Sequence, residues 1–471
     1  MPQTSPFRSQ PGALRAKARS KFLSRFFSNP ARVIACSFAL LVLLGTLLLM
    51  LPLSARSGQP TSFMDALFTA TSATCVTGLV VVDTFGHFTI FGQLVILFLI
   101  QLGGLGLVTF ATFFNIAIRK KIGLKSMVLA RESVNSDSMS DVGRLLKMIV
   151  VITLVFEFTG ALILATVFVP QFGASGIFIS IFLAVSAYCN AGFDILGFQG
   201  PFSSLTHYAD NPVVLITIMG LIICGGLGFI VWQDIYHIRR HRKLSLHTRI
   251  VLAATGSLIL VGALAMGAAE WNNPGTLGPM SVPEKILNSF FMSVTARTAG
   301  FNSIPYENAF GVTKLLNVAL MFIGAAPGST GGGIKVTTAY VLLMTVVCVM
   351  RGKDDTLIGR HKVDKSVVYK ALAVTSLALL AVFASAATIF FTSHTDGMTF
   401  SEIDALFESV SAFGTVGLSC GVTGSANTLS LVALTLTMFL GRVGPVGLAL
   451  SLAMRPQNKN TILPEAKIMV G

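Results

Sequence analysis

Four short segments of this chain carry a pattern suited to holding a dehydrated cation. They read FTATSATCVTGL at 68–79, FLAVSAYCNAGF at 182–193, FMSVTARTAGF at 291–301 and FESVSAFGTVGL at 407–418. Each begins with Phe, runs through small and hydroxylated residues, and ends in Gly followed by Leu or Phe. The glycines are Gly78, Gly192, Gly300 and Gly417, spaced by 114, 108 and 117 residues. An alkali cation that sheds its water needs oxygens in exchange, and carbonyls of an extended strand supply them. Side chains must then stand clear, which favours glycine, and glycine also reaches backbone angles closed to other residues. The candidate coordinating strands are Val76, Thr77 and Gly78; Asn190, Ala191 and Gly192; Thr298, Ala299 and Gly300; and Thr415, Val416 and Gly417. Thr77, Asn190, Thr298 and Thr415 are small polar residues able to brace such strands by hydrogen bonding. One such segment alone reads as a turn. Four in matching context predict a ring around one axis, built by a single chain.

A second constellation lies at 324–335, GAAPGSTGGGIK. Gly costs about 1 kcal/mol and Pro about 3 kcal/mol in a helix interior, so Gly324, Pro327, Gly328, Gly331, Gly332 and Gly333 exclude an uninterrupted helix here. Broken backbone at membrane depth survives only where protein buries it or water bathes it. Residues 324–334 are therefore expected as a loop in the ion pathway and a candidate gate, with the hydroxyls of Ser329 and Thr330 available to hold it. Lys335 either anchors the loop or snorkels. The glycines of QLGGLGL at 101–107 and ICGGLGF at 223–229 read as helix-packing positions. Arg442 sits inside an apolar run, where a charge costs at least ~2.5 kcal/mol and marks a functional site or a structural ion pair. Glu157, in the same situation, calls for a basic or hydroxyl partner on a neighbouring helix, with proton or sodium coupling as the rival reading. Arg297 stands where the other segments have Cys75, Cys189 and Gly414, and is expected to brace the shorter third strand through nearby carbonyls. Gly328 to Lys335 lacks the Lys-Ser/Thr ending of a phosphate-binding loop, and neither H-E-x-x-H nor G-x-S-x-G occurs. No catalytic cluster is visible, so the chain is not expected to be an enzyme.

The elements that must position these residues are apolar. Of 471 residues 53% are hydrophobic and 11% charged, against about 25% charged in soluble domains. Runs at 33–53, 148–169, 212–232, 250–269, 371–391 and 428–454 approach or exceed the ~20 residues that cross a bilayer. Each glycine segment follows one such run and precedes another, and its own apolar stretch is too short to span. The expected fold is all-α and integral to the membrane: four fused repeats of helix, re-entrant pore helix, filter loop and helix around one pore, eight spanning helices in all. The expected boundaries are a basic cytoplasmic N-terminus 1–32, repeat 1 at 33–118, repeat 2 at 145–238, repeat 3 at 247–350 with its intramembrane loop, repeat 4 at 366–455, and a cytoplasmic tail 456–471. The net charge is +14. Its basic residues cluster at 1–32, 119–147, 239–249, 351–370 and 455–471, while acidic residues fill the intervening segments. That asymmetry puts both termini in the cytoplasm and excludes a nucleic-acid groove, which needs basic residues on one solvated face. The basic blocks can meet a cytosolic partner or anionic lipid. The cysteines Cys36, Cys75, Cys189, Cys224, Cys348 and Cys420 have no metal-ligand spacing and read as packing residues.

The four segments, together with RTAGF, GSTGGGIK and FLGRVGPVGL, resemble the Trk/Ktr/HKT superfamily of potassium transporters over residues ~33–455. The nearest likeness is to the Ktr-type membrane subunit, because Trk-type subunits carry two further helices before the first repeat. The resemblance implies potassium as the transported ion, with uptake stimulated by sodium, and a homodimer in the cytoplasmic (inner) membrane. It also implies a cytoplasmic gating-ring partner that binds ATP or ADP, and no cofactor in this chain. It makes Arg442 an electrostatic barrier beneath the filter. In the plant HKT branch Ser at the first filter position accompanies sodium selectivity, so Gly78 favours potassium. The alternatives are a sodium-conducting pore of the same fold, or an alternating-access transporter, whose usual two-halved architecture fits four quarter repeats less well.

Overall fold

The computed structural model describes residues 30–106, 142–241, 243–395 and 400–444. Residues 1–29, 107–141 and those from 445 onward, including the basic clusters and repeat ends assigned to them, lie outside the described residues. Four long helices form the frame: α1 (Pro30–Leu49), α4 (Val142–Phe172), α8 (Leu246–Glu270) and α12 (Lys365–Thr395). Each is long and apolar enough to cross a bilayer. They leave large apolar side chains outward, among them Leu47, Phe158, Leu264 and Phe383, all more than half exposed. Such a surface is stable only against lipid or another apolar partner.

After each long helix comes a shorter, buried one: α2 (Phe63–Cys75), α5 (Ala174–Tyr188), α9 (Val282–Thr295) and α13 (Glu402–Gly414). Local sequence starts three of them. Ser62 accepts a hydrogen bond from the Asp65 amide at 3.2 Å and Ser401 from the Asp404 amide at 3.1 Å. Ser281 and Glu284 form a capping box. Such caps satisfy amides that the first turn leaves unpaired, worth about 1 kcal/mol each. α5 instead follows α4 after the single left-handed residue Gly173.

The helices on the far side of each segment are short as well: α3 (Ile90–Leu105), α6 (Pro212–Gly226) with α7 (Phe229–His241), α10 (Gly311–Phe322) with α11 (Val336–Met350), and α14 (Thr428–Val443). The 212–232 run, expected as one span, is broken: α6 and α7 meet at 92°. The break falls at Gly228, whose φ of +89° is closed to most side chains. Glycines at 103 and 225, expected only to pack, do pack. A Cβ on Gly103 would collide with the Thr74 carbonyl, one on Gly225 with that of Tyr188, and one on Gly441 with that of Phe413. A two-stranded hairpin, β1 (Leu357–Ile358) and β2 (His361–Lys362), joins α11 to α12.

Packing order is circular. α3 lies against α5, α6 against α9, α10 against α13, and α14 returns to α2. Each short helix thereby supports the buried helix of the next segment, and the last supports the first.

Candidate functional site

The buried helices end at the axis of this circle, and each ends in the same conformation. Val76, Asn190, Thr298 and Thr415 all have left-handed φ, at 59°, 59°, 63° and 48°. Three are β-branched, for which this region costs roughly 1–3 kcal/mol. Hydrogen bonds hold the turn: Thr77 N donates to Ser72 O at 2.8 Å, Ala191 N to Ser186 O at 2.7 Å, and Val416 N to Ser411 O at 2.8 Å. The Ser72 and Ser411 hydroxyls also accept from Gly78 N and Gly417 N, each at 3.1 Å. The third segment, one residue shorter, differs. There Ala299 N bonds Thr295 O at 3.0 Å and Thr295 Oγ1 donates to Phe301 O at 2.7 Å.

The four glycines come together and interlock. A Cβ built on Gly192 would lie 2.6 Å from the Ala299 carbonyl oxygen. Those on Gly78, Gly300 and Gly417 would collide with the carbonyls of Ala191, Val416 and Thr77 respectively. Every strand therefore presses its glycine on the carbonyl preceding the next strand's glycine, and the fourth presses on the first. All twelve residues singled out from the sequence as coordinating strands meet here, and the flanking residues other than the glycines are fully buried.

On one side the glycines floor a cavity of about 300 Å³ whose wall includes Asp83, Asp194 and Glu307. The Asp83 carboxylate is tied to the Phe202 amide at 3.1 Å, and Asp194 to the Leu196 amide at 3.0 Å. Glu408, fully buried on α13, accepts from Ser419 Oγ and from Thr423 N at 3.2 Å, bracing the chain that leaves the fourth glycine. The other segments have Thr69, Leu183 and Met292 at its position.

The opposite side is capped by the glycine-rich loop. Its neck closes through Gly324 N to Ile334 O at 2.8 Å. Its body fills the α6–α7 break: Ala326 N donates to Gly226 O at 3.0 Å, Thr330 N to Gly225 O at 3.3 Å, and Phe229 N to Gly328 O at 2.8 Å. Polar groups freed by the break are thus paired by the loop, which answers the requirement of a low-dielectric interior. Ser329 Oγ bonds Ala326 O at 2.6 Å, and Lys335 Nζ bonds Gly331 O at 2.8 Å, an anchor within the loop itself. At the tip, Cβ atoms on Gly331 and Gly332 would collide with the hydroxyls of Thr298 and Thr415, and Gly333 abuts Gly414. With Thr330 Oγ1 donating to Asn190 Oδ1 at 3.0 Å, the loop lies directly against three of the four strands.

Arg442 completes the cap. Its guanidinium donates to the carbonyls of Thr330 and Gly103, and to Gly104 O at 3.2 Å. Among the described residues it forms no ion pair, and carbonyls take the place of the acidic partner that an ion-pair role requires. Arg297 braces as its position suggested, donating to Thr255 O at 3.4 Å and Gly324 O at 3.2 Å. Among the described residues Glu157 has no hydrogen bond from a base or a hydroxyl. Gln101 Nε2 donates to it at 3.3 Å and the Cys189 thiol lies 3.8 Å away.

Comparison with known proteins gives the family. The family model for TrkH, described as a cation transport protein, matches residues 11–462. The chain belongs to that family. This bears out the resemblance to Trk/Ktr membrane subunits and makes the chain a multi-pass membrane protein. Ktr system potassium uptake protein B of Bacillus subtilis is 42% identical over 444 residues, covering 94% of this chain and 97% of that protein. The potassium/sodium uptake protein NtpJ of Enterococcus hirae is 38% identical over 450 residues, covering 94% and 97%. The crystal structure of the potassium transporter TrkH from Vibrio parahaemolyticus superposes with a TM-score of 0.67 at 17% identity, covering 89% of this chain and 85% of that one. At that identity the likeness concerns the fold.

Sequence reasoning missed Ser72, Ser411 and Thr295 as the groups that hold the strand turns, although a hydroxyl five or six residues before each glycine was the available signal. It also missed Glu408, signalled by a charge where the other three segments carry Thr69, Leu183 and Met292.

Proposed function

We propose that this chain takes up potassium through a selectivity filter made by its four strands. The observation that carries this reading is the closed interlock of Gly78, Gly192, Gly300 and Gly417 against one another's neighbouring carbonyls. Glycines in that relation leave the axis to backbone oxygens, which is what dehydration of an alkali cation requires. The acidic cavity beyond the glycines serves as the outer mouth. Carboxylates there raise the local cation concentration. The names of the Bacillus subtilis and Enterococcus hirae relatives support potassium as the ion.

The loop 324–334 acts as the gate on the cytoplasmic side, with Lys335 as its anchor and Arg442 as a latch and a positive barrier. Its seat against the strands blocks passage, and its glycines let it leave at small energetic cost. A cytoplasmic nucleotide-binding ring of Ktr type, docking on a homodimer at the basic faces, would move it. The inner membrane and sodium stimulation belong to the same reading. A second reading keeps the filter and admits sodium, in line with the potassium/sodium name of the Enterococcus hirae relative.

The decisive experiment is reconstitution of the purified chain in liposomes with potassium or sodium gradients. Flux that prefers potassium and collapses in Gly→Ser variants of the ring supports the proposal. Equal potassium and sodium flux favours the second reading, and saturable exchange without conductance removes the pore.

A further inference from the structure

Thr330 lies at the only point where the loop reaches a filter strand by hydrogen bonds among the described residues. It is fully buried. Its hydroxyl is 3.0 Å from Asn190 Oδ1 and 3.2 Å from Tyr188 O. Its amide is bonded to Gly225 O, and its carbonyl accepts from Arg442. Every polar group of the residue is therefore engaged, its partners coming from the second segment, the α6–α7 break and α14. Asn190 in turn donates through Nδ2 to Thr298 Oγ1 at 3.4 Å, which joins the second strand to the third.

Asn190 is also the one amide side chain among the four left-handed strand residues. Asn tolerates that conformation better than a β-branched residue, and its amide alone among the four side chains bridges a neighbouring strand and the loop. Of those partners, Thr298 belongs to the filter and Thr330 to the loop. A single hydroxyl thus links the loop to the conformation of two strands.

We propose that Thr330 is a positioning residue for ion discrimination, holding Asn190, and through it Thr298, in register while the loop is seated. Loop and strands then behave as one mechanical unit, so conduction and discrimination are coupled. The inference rests on the filter and gate readings above, and its test separates from theirs.

The full chain is reconstituted in liposomes, and potassium and sodium uptake are measured for Thr330→Val, Thr330→Ser, Asn190→Gly and the double variant Thr330→Val/Asn190→Gly. Val keeps the shape and removes the hydroxyl, Ser restores it, and Gly keeps the left-handed backbone of position 190 while removing its amide. Thr330→Val is expected to lower potassium-over-sodium discrimination about tenfold, the scale of one buried hydrogen bond. Thr330→Ser should return it, and the double variant should lose no more than the single ones. Raised flux with unchanged discrimination in Thr330→Val overturns the coupling while leaving the gate intact. Losses that simply add overturn it too. Should Thr330→Val fail to fold, Asn190→Gly decides alone, and normal discrimination there overturns the proposal. Normal discrimination in all four ring Gly→Ser variants would instead remove the filter reading itself.

Discussion

The guanidinium of Arg442 donates to the carbonyl of Gly103, a residue 339 positions earlier in the chain. The same group reaches Thr330 in the loop that follows the third glycine segment. One side chain thereby joins the stretches that follow the first and third glycine segments to the one that follows the fourth. Arg and Lys are not equivalent in such a place, since only the planar fork serves several carbonyls at once. Arg442→Ala is expected to raise potassium flux and its independence of any cytoplasmic partner. Arg442→Lys keeps the charge and loses the fork. Flux in Arg442→Lys close to that of Arg442→Ala identifies a latch, and flux close to wild type identifies a purely electrostatic barrier.

Substituting Ser for any ring glycine introduces a Cβ where the neighbouring carbonyl stands, at a left-handed φ between 69° and 95°. Discrimination between potassium and sodium should fall by at least about tenfold, or ~1.4 kcal/mol. Competitive uptake assays measure it directly. Unchanged discrimination at all four positions refutes the assignment.

Glu270 is wholly buried and accepts from Asn273 Nδ2 and Thr276 Oγ1, both at 2.6 Å, from Phe310 N at 2.9 Å, and from Thr313 Oγ1. It ties the end of α8 to the start of α10. Glu270→Ala orphans four donors and should destabilise the protein by about 3 kcal/mol or more. Thermal unfolding in detergent should show a lower Tm, while the surviving folded fraction keeps wild-type ion discrimination.

Burial, with the nearby Asp83 carboxylate adding to it, pushes the Asp194 carboxyl up to about 6. It is charged above that pH and neutral below it. As a wall group of the mouth it attracts cations when charged, so apparent potassium affinity should weaken as external pH falls through about 6. Asp194→Asn should remove this step and show the weaker affinity at every pH. A pH series of uptake kinetics that shows the same step in the Asn variant assigns it to another group.

The strands and the loop were legible because each chemistry leaves a compositional mark. Four glycine segments in equal context identify themselves by repetition, and Pro327 with five glycines cannot be a helix. The break between α6 and α7 was not legible, because Gly225 and Gly228 look alike in an apolar run. One packs against a carbonyl and the other turns the chain, and only the arriving loop makes the difference. Glu157 was legible as a group in need of partners. Its actual partners, Gln101 and Cys189, come from distant segments whose approach no local spacing encodes.

The interlocked glycines have a consequence for how substitutions combine. In a pore assembled from identical subunits, one codon change strikes every strand at once. Here it strikes one strand in four, and the ring has neighbours and diagonals. Gly78 and Gly192 touch through Ala191, and Gly300 and Gly417 through Val416, whereas Gly78 and Gly300 face each other across the axis. Paired substitutions on adjacent strands should therefore show strong non-additivity and diagonal pairs much less. Under the proposed filter reading, ion preference in a single-chain ring is adjusted by quarters, with the order of the strands deciding how much each further quarter matters.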